Sequence, residues 1–150
     1  MRTRIELEEA VDLITSSLSP LGEEILPRMD SLGRTLARDV RAPMDQPPFD
    51  RSPLDGYALI AADTRGAGRG HPVRLELVDT VYAGGWSQAA VRPGQCARIM
   101  TGAPIPAGAD CVIRQEDTDQ GQPCVQVYQE LHHHENYCFA GEDYQKGSVL

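Results

Sequence analysis

From residue 43 onward the chain changes texture: prolines and turn residues become frequent, and the apolar runs shorten to strand length. Proline has no backbone N–H and a fixed φ, and glycine lowers helix stability, so a stretch punctuated in this way cannot sustain long helices. The chain carries 14 glycines and 11 prolines in 150 residues, which means many turns and short strands. The runs predict strands near residues 56–61, 73–79, 95–100, 110–115 and 123–130. Arg65-Gly66-Ala67-Gly68-Arg69-Gly70 reads as a flexible hairpin tip, since the Lys-Ser/Thr of a phosphate loop does not follow it. Gln120-Gly121-Gln122 reads as a further hairpin turn.

The opening is different. Thr3 with Glu6 makes a capping-box pattern, and Leu7, Ala10, Val11, Ile14 and Leu18 recur at helical spacing, predicting a helix over 3–18. Ser19-Pro20-Leu21-Gly22 closes it, and Glu24 to Pro27 reads as a brief extended piece. Asp30 or Ser31 is placed to cap a short helix through Leu32, Thr35 and Leu36. The expected fold class is therefore mainly β, preceded by N-terminal helices. The chain ends on Gly147-Ser148-Val149-Leu150, which reads as a strand just starting and suggests a piece of a longer polypeptide.

Acids outnumber bases, 22 to 14, for a net charge of −8, the opposite of a nucleic-acid binder. No apolar run approaches the roughly 20 residues of a membrane span, and the N-terminus is unlike a signal peptide, so a cytoplasmic location is expected. The four cysteines, Cys96, Cys111, Cys124 and Cys138, include no Cys-x-x-Cys pair and read as free buried thiols. His132-His133-His134 lacks zinc-site spacing and reads as an exposed polar loop.

Three segments have the composition of a site. In Pro47-Pro48-Phe49-Asp50-Arg51-Ser52-Pro53-Leu54-Asp55-Gly56-Tyr57-Ala58-Leu59, prolines stiffen the backbone ahead of carboxylates, and Asp55-Gly56 turns into an apolar strand. Asp50 and Asp55 are hard oxygen ligands suited to magnesium, though Asp55-Gly56 is equally ordinary turn chemistry. Arg51, inside this motif, is the arginine that stands apart from a surface of scattered charge. In the second segment, Pro93 to Asp110, a strand runs into Thr101-Gly102, whose hydroxyl and amide can donate to an oxyanion. A rigid connector is the plainer reading there. The third is Gly141-Glu142-Asp143, where adjacent acids on extended backbone point to opposite faces.

In this order the three segments resemble the molybdopterin molybdenumtransferase family, enzymes that insert molybdate into the pterin cofactor. The resemblance runs through Pro-Pro-Phe-Asp to Asp-Gly-Tyr-Ala, Thr-Gly-Ala-Pro-x-Pro-x-Gly-Ala-Asp, and Gly-Glu-Asp with Gly147 after it, and covers essentially the whole chain. It implies an elongated β-rich lobe with an inserted β-rich domain: residues 1–43 opening the lobe, 44–146 the insert, and 147–150 the return strand. An α/β pterin-binding domain would lie beyond residue 150, and the stripe of the opening helix would pack against other surfaces. The implied reaction transfers molybdate to adenylylated molybdopterin with release of AMP, assisted by Mg2+ whose ligands lie mostly elsewhere. It also implies a homodimer, contact with other molybdenum-cofactor biosynthesis proteins, and no nucleic-acid or membrane partner. By motif, Asp55, Thr101 and Asp143 carry over as catalytic, and Ser52, Gly56, Gly102 and Glu142 as substrate-binding. A non-catalytic scaffold or dimerisation module of the gephyrin type is the alternative, and a metal-dependent hydrolase using Asp50 and Asp55 a weaker one. Two departures stand out: Leu54 where relatives usually have Met, and Tyr137-Cys138-Phe139-Ala140 where they commonly have arginines.

Overall fold

The computed structural model describes residues 5–19 and 21–150, in two compact units, residues 1–39 and 40–150. Among the described residues the chain is mostly β, with one α-helix near its N-terminus.

In the first unit, α1 spans Leu7–Ser17 and buries no residue. Glu6 sits at its N-cap without a side-chain capping bond. The expected cap at Thr3 and the closing Pro20 lie outside the described residues. The apolar stripe of Leu7, Val11, Ile14 and Leu18 forms as the spacing predicts, and every member is exposed. The helix expected after Asp30 is not there. A single 3-10 turn over Arg28–Ser31 takes its place, with Ser31 Oγ donating back to the Arg28 carbonyl. Gly33 stops any continuation, because its φ of +81° is left-handed and cannot extend a right-handed helix.

The second unit is a five-stranded sheet in the order β4-β1-β3-β2-β5. Its strands are β1 (Gly56–Leu59), β2 (Val73–Val81), β3 (Gln95–Ile99), β4 (Cys111–Arg114) and β5 (Cys124–Val127), each within the run that predicts it or a few residues from it. β1 pairs antiparallel with β3 and β4, β2 pairs antiparallel with β5, and β2 and β3 run parallel with a register shift between Leu77 and Asp79. Because β3 lies between β1 and β2, residues 65–70 are not the tip of a β1–β2 hairpin. They form a connector with a tight Gly68–His71 bridge. The turn at 120–122 does close a hairpin, between Thr118 and Val127.

Both faces of the sheet are covered. Tyr57, Leu59, Leu75, Cys96, Cys111, Ile113, Val125, Val127 and Leu131 make one core, and Ala58, Val81, Val91, Ala97, Ile99, Ala103 and Val112 make the other. All four residues of β1 are buried, which is why it reads as an unbroken apolar run rather than an alternation. Each large apolar side chain fully buried here contributes about 1.5–3 kcal/mol. Cys96 and Cys111 lie in this core as expected, while Cys124 and Cys138 are half-buried, and all four are free. Burial pushes the Cys96 thiol up to about 12 and the Cys111 thiol higher still. The ends of the unit run side by side, with Arg41 bridged to Val149 and Gln46 to Tyr144. Among the described residues, no helix is long and apolar enough to cross a membrane.

Candidate functional site

The three motifs, far apart in sequence, meet in one backbone ladder. The Arg51 N–H donates to the Cys138 carbonyl (2.9 Å), and the Cys138 N–H returns to Arg51 (3.1 Å). On the other side of the same segment, the Ser52 N–H donates to the Ala103 carbonyl (3.0 Å), and the Gly102 and Ile105 N–H groups donate to the Ser52 and Asp50 carbonyls (2.8 and 3.0 Å). The Gly141 N–H closes on Pro47 (2.8 Å) and the Asp143 N–H on Gln46 (2.9 Å). Proline at 47, 48 and 53 leaves this stretch few donors of its own, so the neighbouring segments supply much of its pairing.

Asp55 and Thr101 form the most specific contact in this ladder. Asp55 Oδ1 accepts both the Thr101 N–H and the Thr101 hydroxyl, each at 2.7 Å. The Thr101 amide, then its hydroxyl, hold the carboxyl below the usual carboxylate range against a smaller opposing effect of burial, and the positive charge of Arg98 adds to them. Both side chains are exposed. Oδ1 is thus saturated, and no described group donates to Oδ2, which is offered outward as an anionic acceptor.

The remaining motif residues have other neighbours. Ser52 is buried, and its hydroxyl donates to the Leu54 carbonyl within its own loop. Gly56 is buried where β1 passes β4, and a Cβ there would lie 1.9 Å from the Ile113 carbonyl oxygen, so only glycine fits. The Gly102 N–H is engaged by Ser52 and both Thr101 donors by Asp55. The donors expected to face an oxyanion are therefore already engaged within the chain, and the arrangement is a carboxylate cradle. Glu142 accepts the Phe139 N–H (3.0 Å), and Asp143 is exposed. Among the described residues no hydrogen bond joins Glu142 or Asp143 to Asp55 or Thr101.

Asp50 has both oxygens occupied, by the Tyr137 hydroxyl (2.7 Å) and the Ala140 N–H (2.8 Å). Burial, then the Asp50 carboxylate, push the Tyr137 phenol well up, so it stays a donor. Tyr137, one of the departures from the family pattern, thus ties the third motif to the first. Arg51 is half-buried beside Cys138, where its charge only partly offsets the effect of burial on that thiol. Two features had no signal in the sequence. One is the Asp50–Tyr137 pair, separated by 87 residues. The other is Arg98, whose nearness to Asp55 comes from the β1–β3 register that sets it opposite Tyr57.

The chemistry available for a metal is limited. Among the described residues no group of three or more His, Cys, Asp or Glu side chains is placed to hold one. The histidines of 132–134 include exposed His133, whose Nε2 lies 3.7 Å from Asp110 Oδ2. Asp55 offers one free oxygen, so these residues alone do not fit a magnesium site.

Comparisons with known proteins agree with this architecture. The family described as MoeA N-terminal region (domain I and II) matches residues 5–150. A molybdopterin molybdenumtransferase of Bacillus subtilis is 42% identical over 153 residues, covering 99% of this chain and 36% of the relative. One from Synechococcus elongatus is 36% identical over 144 residues, covering 94% of this chain and 36% of its own. The crystal structure of the molybdopterin biosynthesis MoeA protein from Pyrococcus horikoshii OT3 superposes with a TM-score of 0.84 at 35% identity, over 95% of this chain and 38% of that one. The chain thus spans little more than a third of the length of these relatives. With its three motifs joined in one ladder, this chain belongs to the MoeA family, as its N-terminal region.

Proposed function

We propose that this chain forms one wall of the cleft in which a longer enzyme, a molybdopterin molybdenumtransferase, inserts molybdate into adenylylated molybdopterin with release of AMP. The observation that carries the reading is the Asp55–Thr101 cradle. It holds a carboxylate ionised and immobile at the end of the sheet, with one oxygen committed to Thr101 and the other presented to solvent. An acceptor fixed in this way orients a hydroxyl or amine of the substrate without reorganising as the reaction proceeds. Because this chain is acidic, cations to neutralise the substrate's phosphates and oxyanion come from the rest of the enzyme or from a second subunit. The unit of residues 1–39 supports a homodimer, since α1 leaves its apolar stripe exposed. Asp143, Glu142, Ser52, Gly56 and Gly102 then act by shaping the wall rather than by meeting the reacting atoms. A magnesium ion would need ligands from outside this chain, so no magnesium-dependent step is assigned to it.

Asp55→Asn tests the reading cleanly. Asparagine keeps an oxygen to accept both Thr101 donors but removes the charge and turns the outer position into a donor. In cells lacking the molybdenumtransferase, the natural-length gene carrying Asp55→Asn is expected to restore molybdenum-enzyme activity roughly ten- to hundredfold less well than the unaltered gene. Subunit association should be unchanged. Full restoration by Asp55→Asn would remove Asp55 from the site.

A further inference from the structure

The end of the sheet that carries Asp55 and Thr101 also carries an aromatic feature centred outside the three motifs. β2 and β3 run parallel, so they leave the sheet at the same end, Val81 opposite Ile99, with the Met100 N–H donating to the Val81 carbonyl at 3.1 Å. Thr101 follows on one strand and Tyr82 on the other. From Tyr82 the chain turns through Gly84-Gly85 (Gly85 N–H to Tyr82 carbonyl, 3.0 Å) and reaches Trp86. Tyr82 is 64% exposed and Trp86 65% exposed, although each is a large apolar ring at the margin of a covered sheet. Trp86 is held all the same. Phe49 of the first motif meets it edge-on, with ring centres 5.1 Å apart and planes at 61°. Just beyond it, Asp79 Oδ2 accepts the Ser87 hydroxyl (2.6 Å) and the Gln88 N–H (3.1 Å), while Oδ1 accepts the Thr80 N–H (2.7 Å), clamping the loop to β2.

We propose that Trp86, braced by Phe49, is a stacking face for a planar fused heteroaromatic ring of the substrate. An indole packed against Phe49 with 65% of its surface open is restrained before a ligand arrives, so stacking on it costs little ordering entropy. Stacking tolerates any flat π-system, which suits a purine or a pterin equally. The identity of the ring rests on the reading above, whereas its recognition by Trp86 does not.

The chain has a single tryptophan, so its fluorescence reports this site. In the protein at its natural length, AMP, pterin and ribose 5-phosphate are titrated separately, and only the fluorescence that disappears in Trp86→Phe is followed. One or both ring compounds should quench it and ribose 5-phosphate should not; which ring quenches tells adenine from pterin. Trp86→Ala should weaken that binding by about five- to a hundredfold, with Trp86→Phe recovering most of it, and in turnover should raise KM with kcat nearly unchanged. Ring binding without molybdenum-inserting activity would leave this proposal standing and remove the functional reading. Activity with no quenching by either ring would do the reverse. Unchanged ring affinity in Trp86→Ala overturns the proposal, and a loss of subunit association in that variant would make the loop a protein contact instead.

Discussion

Residues 5–39 and 40–150 are both well supplied with large apolar side chains, yet they use them in opposite ways. In the first region Leu7, Val11, Ile14, Leu18, Leu21, Ile25, Met29, Leu32 and Leu36 are all exposed, and α1 buries nothing. In the second, two clusters fill both faces of a five-stranded sheet, and no buried side-chain polar atom among the described residues lacks a partner. Helical periodicity states that an apolar face exists without stating what covers it. A helix of 11 residues is marginal by itself in water, so α1 draws its stability from whatever that face meets. The sheet's runs pair with each other, and their cover lies within residues 40–150 themselves.

The sharpest way to break this contrast is a matched pair of glycine substitutions. At Gly56 a methyl group would lie 1.9 Å from the Ile113 carbonyl oxygen and 3.2 Å from a Leu54 methyl, so β1 and β4 would have to separate. Gly56→Ala is expected to cost about 3 kcal/mol or more and to abolish the cooperative transition of the 40–150 unit. Gly33→Ala meets nothing within 4 Å and suffers only from its φ of +81°, at about 1–2 kcal/mol felt locally. Thermal unfolding followed by Trp86 fluorescence, which belongs to the 40–150 unit, decides it. Equal melting temperatures for Gly56→Ala and the parent would show that β1 does not pass β4 as described.

A smaller effect separates the two regions by burial alone. Leu59 is fully buried between β3 and β4, and Leu59→Ala should lose about 2–5 kcal/mol through lost transfer energy and the cavity left behind. Leu32 is 95% exposed, and Leu32→Ala should stay within about 0.5 kcal/mol. Urea unfolding of the two variants in this 150-residue chain gives the comparison directly. A large loss at Leu32 would mean that the first region is covered after all, by self-association.

Much of the fold is legible from local chemistry. The strand positions follow from apolar runs bounded by turn residues, and the helix from a 3.6-residue spacing. What is not legible is pairing. The order β4-β1-β3-β2-β5 places β3 between strands adjacent in sequence, so residues 65–70 do not join a β1–β2 hairpin, although a tight antiparallel turn closes there between Gly68 and His71. The short helix expected at Leu32 fails because left-handed Gly33 outweighs a cap at Asp30 or Ser31. The site divides along the same line. That Asp55 and Thr101 belong together is readable from motif resemblance. That Thr101 gives both donors to Asp55, that Asp50 is held by Tyr137, and that Trp86 leans on Phe49 depend on long-range register, which no local pattern encodes.

The mildest expected effect concerns acid. Asp79 is held below the usual carboxylate range, first by the Ser87 hydroxyl and then by the Thr80, Gln88 and Ala89 backbone groups, with partial burial opposing; Asp55 is lowered by Thr101. A depressed pKa in the folded state means that the unfolded chain takes up protons first as the pH falls. Stability from these groups is therefore complete above the unfolded value of about 3.9, and is lost as the pH drops through the lower folded values. The melting temperature of the 40–150 unit should be level near neutrality and begin to fall below about pH 4–5. In Asp79→Asn an amide faces the Gln88 N–H where an oxygen accepted it, so this variant should melt lower than the parent at pH 7. The gap should close as the parent's own carboxylate is protonated. A gap that stays constant from pH 7 to pH 3 would show that the residue acts through shape rather than charge. The clamp beneath Trp86 would then hold in acid as firmly as at neutrality.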